Sequence, residues 1–524
     1  MRKNVLALSL AAMGLGFAGG AHAITDAVPT GATAGTDLQL SKSGTGHMAV
    51  VPYFTTQEGN STLLSIVNTD AVHGKAVKVR FRGAANSDDV FDFQVFLSPN
   101  DVWTANISKN ADGLSYLTTT DSSCTKPAKA VLNSTPFITT RLDPNATPDV
   151  RAAGTREGYV EIFNMADITN TAAADLYDLI KHPANGAPKC ADTATNTAWT
   201  AINTDKAVAG YADAAIGLTP PTTGLMANWT IINVPKALSW SGDATAIEAV
   251  VATTGVVAGT TGNMVYFPQV NAAPAGTLGS YTSDPLLVST RVTAGQYDLP
   301  DMSTPYTATA TSPAVQVQTL TGAIATTAVM NEYVTDSSIS AATDWVFSMP
   351  TRRYAAAVDY TSVADATKPE AVYADADATI PGIGVGNYFR PANTQLSGNQ
   401  LCVKNITYAL TTFDREENSP ASPDDVVVSP ATPGAPVMFC GEASVISFNN
   451  GSTTQSGVLS ASVALKDLDS PFVDGWAKLV TPGAVATAGL PILGQSFVSA
   501  IHPSVAPGTS GNFGLSSGHR FVRP

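Results

Sequence analysis

The sequence predicts a mainly β fold: two antiparallel β-sandwich domains, immunoglobulin-like or jelly-roll-like, with long Thr/Ala/Gly-rich loops and a short helical insertion. Period-two alternation of apolar residues recurs in short runs, as a half-buried strand requires. Gly, Pro, Asn and Asp punctuate those runs at near-regular spacing, which is the pattern of a sandwich. Only 13% of residues are charged, and Thr, Val, Ala and Gly dominate, a mix that suits pleated sheets and turns better than helices.

The chain opens with Arg2 and Lys3, an apolar run from Val5 to Phe17, and Ala21-His22-Ala23. This is the pattern of a secretory signal peptide over residues 1–23, too short in its apolar part to anchor in a bilayer. The expected location is therefore outside the cytoplasm: cell surface, extracellular space or periplasm. The mature chain shows no transmembrane segment. Residues 24–46 are small and polar and read as a flexible entry segment.

Met48–Phe54 reads as a strand, with Pro52 marking an edge or a bulge. Gln57–Asn60 turns the chain into a second strand, Ser61–Asn68, and Asp70–Gly74 turns it again. Lys75–Arg82 is the clearest alternation: Val77, Val79 and Phe81 face a core, and Lys78, Arg80 and Arg82 are expected to face water. Phe91–Phe96 repeats the pattern, Ser98–Asp101 turns, and Val102–Ile107 follows. Weaker strands are predicted at Gly158–Met165, Met226–Val234, Met264–Val270, Asp344–Met349, Leu401–Thr412, Val437–Asn449 and Val458–Leu465. One helix is predicted at Ala172–Lys181, stopped by Pro183. A soft boundary at Gly255–Gly262 divides a first domain, 47–255, from a second, 256–524. Long polar loops are expected at 361–381 and 414–436.

The formal charge is −14, and −16 once Arg2 and Lys3 are removed. That balance opposes nucleic acid or anionic lipid as a partner and favours divalent cations. Cys124, Cys190, Cys402 and Cys440 are even in number, and an oxidising compartment makes disulfides the default. Of the three connectivities, the local pairs Cys124–Cys190 and Cys402–Cys440 are expected, the first tying down an insertion around residues 124–190. No Cys-x-x-Cys occurs and no His lies within four residues of a Cys, so zinc is disfavoured.

No catalytic set stands out. His47, His73, His182, His502 and His519 have no metal-ligand spacing and read as loop or surface residues. Gly514-Leu515-Ser516-Ser517-Gly518 matches a nucleophile string, yet no acid or His partner follows at a useful distance. Carboxylates pair at Asp88-Asp89, Asp375/Asp377 and Asp424-Asp425. Asp467, Asp469 and Asp474 beside Gly475 form the most site-like cluster and are the candidate calcium ligands, although the EF-hand glycine and glutamate are missing. Trp103, Trp229 and Trp345 lie in apolar strands and read as core, whereas Trp199 and Trp240 lie near loops, where packing is favoured over stacking on sugars. A transmembrane barrel is disfavoured by sparse aromatics and frequent prolines.

Val51-Pro52-Tyr53-Phe54, Ser61–Thr69 and Asp92–Trp103 resemble segments of a poorly characterised family of exported proteobacterial cell-surface proteins. Asp344-Trp345-Val346 and Gly489–Gly494 are similar to that family's later segments. The resemblance implies architecture and location and carries over no catalytic residue. The expectation is a non-enzymatic structural protein of surface-layer or matrix type, partnered by its own copies or by cell-envelope glycans. An adhesin or carbohydrate-binding module, and a hydrolase using paired carboxylates, are the alternatives.

Overall fold

In the computed structural model, residues 34–171, 176–184, 186–202, 216–251, 260–264, 282–288, 299–360, 369–374, 388–403, 410–419, 439–463, 465–481, 489–502 and 511–524 are described. The signal peptide, residues 24–33, Asp375/Asp377, Asp424-Asp425 and most of Met264–Val270 lie outside them.

Strands of the first half are β1 (Asp37–Leu40), β2 (Met48–Thr55), β3 (Asn60–Asn68), β4 (Gly74–Gly83), β5 (Asp89–Leu97), β6 (Val102–Lys109) and β7 (Ser115–Thr118). They continue with β8 (Cys124–Lys126), β9 (Glu157–Ile168), β10 (Leu218–Thr219), β11 (Leu225–Asn233), β12 (Leu238–Asp243), β13 (Thr245–Val251) and β14 (Thr260–Thr261). The first sheet runs β1-β13-β2-β9-β4-β5-β8, with β10 on β9 and β14 on β13. The second runs β12-β11-β3-β6-β7. All these pairings are antiparallel, and the β2–β9 register shifts between Val51 and Phe54, around Pro52.

The second half supplies β15 (Ala325–Thr326), β16 (Ala328–Val334), β17 (Ala341–Ser348), β18 (Ala356–Asp359), β19 (Glu370–Tyr373), β20 (Thr394–Ser397), β21 (Gln400–Val403) and β22 (Leu410–Phe413). Then come β23 (Ala443–Phe448), β24 (Leu465–Leu468), β25 (Asp474–Val480), β26 (Leu490–Pro491), β27 (Leu493–Ala500), β28 (Phe513–Gly518) and β29 (Arg520–Val522). The third sheet is β22-β25-β16-β29 and the fourth β24-β23-β17-β27-β28, with β23–β24 its one parallel pair among the described strands. Three small two-stranded sheets complete the set among the described residues.

Packing is layered, and the fold is mainly β as predicted. Val77, Val79, Phe81, Phe93 and Val95 of the first sheet meet Leu64, Ile66, Trp103 and Trp229 of the second. The same core takes in Val346, Val445 and Phe497 from the fourth sheet. Because side chains alternate across a strand, the other face of the fourth sheet is also apolar. Trp345, Phe347, Ile446 and Phe448 pack there against Val329, Tyr333, Ala477 and Leu479 of the third sheet. The fourth sheet is thus buried on both faces, and the two halves of the chain share one core.

The basic row of β4 corrects the sequence reading. Lys78, Arg80 and Arg82 are fully buried, not in water. The back of the first sheet is roofed by later chain: Leu287, Leu299, Met302 and Tyr306, the helix Pro313–Ile324 and Tyr354 pack on Met48, Val50, Phe163 and Ile247. A second strip of that face holds the helix Leu176–Ile180 with Trp199 on Phe96 and Met165. That helix falls within the predicted helix, whose first four residues lie outside the described ones. The stretch 124–190 is also more than an insertion, since β9 runs through the middle of the first sheet. Within the expected flexible segment, Asp37–Leu40 form a strand with Leu38 buried against β13.

Candidate functional site

Buried charge is concentrated where the halves meet. Arg80 Nε lies 3.0 Å from Asp89 Oδ2, and Arg82 Nε lies 3.1 Å from Glu161 Oε1. Arg80 also donates to Pro300 O at 2.6 Å and Arg82 to the Tyr354 hydroxyl at 3.1 Å. Next to them Arg353 bridges Asp284 at 2.5 Å and Asp88 at 3.1 Å, and Arg352 holds Glu442 at 2.6 Å. The Tyr360 hydroxyl donates to Asp88 at 2.7 Å. Burial pushes the carboxyls of Glu161, Asp88 and Glu442 up, and the neighbouring guanidinium groups work against it. Tyr159, Tyr306 and Tyr360 are pushed far above the usual phenol range by burial. Apart from the half-buried Tyr360, these groups are almost sealed from solvent and engaged with one another, so their chemistry is adhesion between chain segments.

Asp70, His73 and Asp167 place ligand atoms close enough together to hold a metal ion. A protein cation is already there: Lys75 Nζ sits 3.7 Å from Asp70 and 3.1 Å from Asp167. Burial tends to raise Asp70, yet the His73 hydrogen bond and Lys75 together hold it down to about 2. The Asp70 hydrogen bond in turn raises His73. The donor set is therefore matched to an ammonium group and does not fit an added divalent ion.

The predicted calcium ligands do not converge. Asp467 lies on β24 of the fourth sheet and accepts from Asn450 N at 3.1 Å and Gly451 N at 3.0 Å. Asp474 lies on β25 of the third sheet and pairs with Arg415 at 2.6 Å. With Asp469 they form no set of ligand atoms within coordinating reach. The two acids are held by different sheets, which spacing along the chain could not reveal. Gly514–Gly518 is strand β28, not the sharp strand-to-helix turn of a nucleophile elbow.

Both disulfides join the expected partners, Cys124 to Cys190 and Cys402 to Cys440. Among the described residues no helix is long and apolar enough to cross a membrane. His47 and His519, read as loop or surface residues, are buried, and burial holds each down to about 3. Trp199 stacks on Phe96 with ring centres 4.2 Å apart, and Trp240 donates to Val498 O at 2.8 Å, so both loop-side tryptophans are packing residues.

Of the concavities that open to solvent among the described residues, two stand out. One, of about 280 Å³, lies between the halves, with Asp88, Tyr360, Asp143, Arg151 and Asn399 on its walls. The other, of about 760 Å³, lies where β28 diverges from the third sheet. Its walls carry Trp476, Glu332, Glu417, Leu515, Val498 and Ser496, with the Arg415–Asp474 pair on the rim. Trp476 stacks on Phe413 with ring centres 4.3 Å apart and planes 11° apart, and remains 38% exposed. Ser496 is 1% exposed, and its hydroxyl has no hydrogen-bond partner among the described residues. Sequence reading gave Trp476 no role. The signal was there: along β25, Ala477 and Leu479 point inward, so period two places Trp476 with Lys478 on the outer face.

Comparison with protein-family models, curated proteins and solved structures finds no match to this chain.

Proposed function

We propose that this is an exported structural protein of the cell exterior, of surface-layer or matrix type, which works by making contacts with further copies of itself. The observation that carries the reading is a division of labour between inside and outside. Inside, the halves are joined by paired charges and a shared core. Outside, apolar side chains gather on the last strands: Val480 and Val522 flank Ala328 in one cross-strand row of the third sheet and are 44% and 45% exposed. A row of apolar side chains on an outer sheet face is a contact surface when it is covered by another molecule. A second copy is the occupant the charge balance allows only conditionally, because two mature chains of charge −16 repel. Salt or a divalent cation screens that repulsion over a Debye length of about 10 Å at 0.1 M. The signal-like N-terminus and the two disulfides support export.

The test is sedimentation and negative-stain microscopy of the purified mature chain, with and without calcium, beside fractionation of expressing cells. Assemblies that grow with concentration and ionic strength, and that weaken in Val480→Asp, are expected. A monomer under every condition, or an intact unprocessed chain retained inside cells, contradicts the reading.

A further inference from the structure

We propose that the cleft between β16 and β28 binds a neutral pyranose oligosaccharide through Trp476, Ser496 and Glu332. The volume of about 760 Å³ falls within the range of small-ligand sites. Trp476 is held flat by Phe413, so it offers a rigid apolar surface without ordering cost when a sugar ring lies on it. Leu515, 67% exposed, and Val498 add apolar surface to the lining. Pyranose rings are amphipathic: axial C–H groups pack on aromatic and aliphatic faces, and equatorial hydroxyls reach polar groups around them. The polar groups are present. The Ser496 hydroxyl is buried, lines the cleft and has no partner among the described residues, so a ligand hydroxyl there would satisfy it. The carboxylates of Glu332 and Glu417 line the cleft with no hydrogen bond or ion pair among the described residues, as acceptors for hydroxyls. The same carboxylates repel sugar acids.

A peptide strand is a poorer fit. The edge of β16 that borders the cleft is already capped by side chains, since Val334 N donates to the Thr343 hydroxyl at 3.0 Å and Trp345 Nε1 donates to Glu332 O at 3.2 Å. Backbone pairing with an added strand is therefore blocked there. The inference rests on the exported reading only for where such a sugar is met.

Titration calorimetry of the purified chain with cellohexaose and chitohexaose tests it, with the de-acetylated, cationic glucosamine hexamer and hexagalacturonate as charged controls. At least one neutral hexamer is expected to bind and the galacturonate is not. Trp476→Ala is expected to weaken binding by about tenfold or more, Trp476→Phe to retain most of it, and Ser496→Ala to lower it severalfold. If Trp476→Ala also shifts the melting temperature, the Phe variant decides. The proposal is overturned if neither neutral hexamer binds at millimolar concentration, if Trp476→Ala binds as wild type does, or if the cationic hexamer binds more tightly than both neutral ones. Each of these outcomes leaves self-assembly, measured separately by sedimentation, unaffected.

Discussion

Arg82 and Glu161 carry opposite charges into the interior of the first sheet, and neither is tolerable without the other. Removing one partner of a buried pair leaves an uncompensated charge and typically costs about 3–5 kcal/mol. Arg82→Ala is therefore expected to lower unfolding free energy by about that amount in urea titration. A joint replacement of Arg82 by Met and Glu161 by Leu should recover most of the loss. His519 makes a second prediction at this scale. Its Nε2 donates to Val346 O at 3.1 Å, its Nδ1 accepts from Asn331 Nδ2 at 3.1 Å, and its ring stacks on Phe347. A second proton on that ring would oppose two donors. With its folded value held down to about 3 by burial against an ordinary 6.5, the unfolded chain binds the proton first as acid is added. Stability from His519 is thus complete above about pH 6.5 and lost progressively towards pH 3, by up to about 4 kcal/mol. Asp88, Glu161, Asp344 and Glu442 act with the opposite sign, since burial raises them and their cost grows as pH rises. Comparing wild type with His519→Gln isolates the histidine: the variant should show a flatter stability profile between pH 6.5 and 3. A parallel pair of profiles would show that the ring does not titrate in the folded state's favour.

At the scale of single elements, β4 and β9 show what close sheet packing demands. Gly158 of β9 sits against β4 so tightly that a Cβ would lie 1.7 Å from Arg82 O. Gly158→Ala must push the two strands apart, and a clear loss of melting temperature is the expected result in a thermal scan. The disulfide from β8 to Cys190 spans 66 residues, and closing a loop of that size stabilises by about 4 kcal/mol in the chain-entropy account. The double replacement of Cys124 and Cys190 by Ser should cost that much or somewhat less, measured by denaturant titration. The period of β4 was plain in its sequence, and the inward set Val77, Val79 and Phe81 was read correctly. The fate of the opposite set was not legible. A period of two states that a strand has two faces and says nothing about what covers the second. Its cover, which includes Pro300 and Tyr354, lies more than two hundred positions downstream.

For the whole molecule, the shared core predicts mutual dependence of the halves. Phe497 of the fourth sheet packs on Trp229 of the second with ring centres 5.7 Å apart. Glu157 reaches across to Ser462 N at 2.8 Å and Val463 N at 3.1 Å. A fragment ending at residue 263 loses these partners and exposes Trp229. It should therefore be insoluble or molten by near-UV circular dichroism, whereas the full chain should melt in one transition. Two independent melting steps would contradict a common core. The chain's own residues determined the strand-rich class, the alternation of each strand, the turns between them and the Cys pairs available for bonding. The first three follow from backbone sterics and side-chain character over a few neighbouring positions, and the Cys pairs from the number and spacing of the cysteines. Only the tertiary structure decided that the basic row of β4 is buried, that the acids near residue 470 stay apart and that Trp476 faces an open cleft. Those outcomes depend on which distant segments meet, and contact between distant segments is settled by competition among packing, desolvation and ion pairing over the entire chain, which no local pattern encodes.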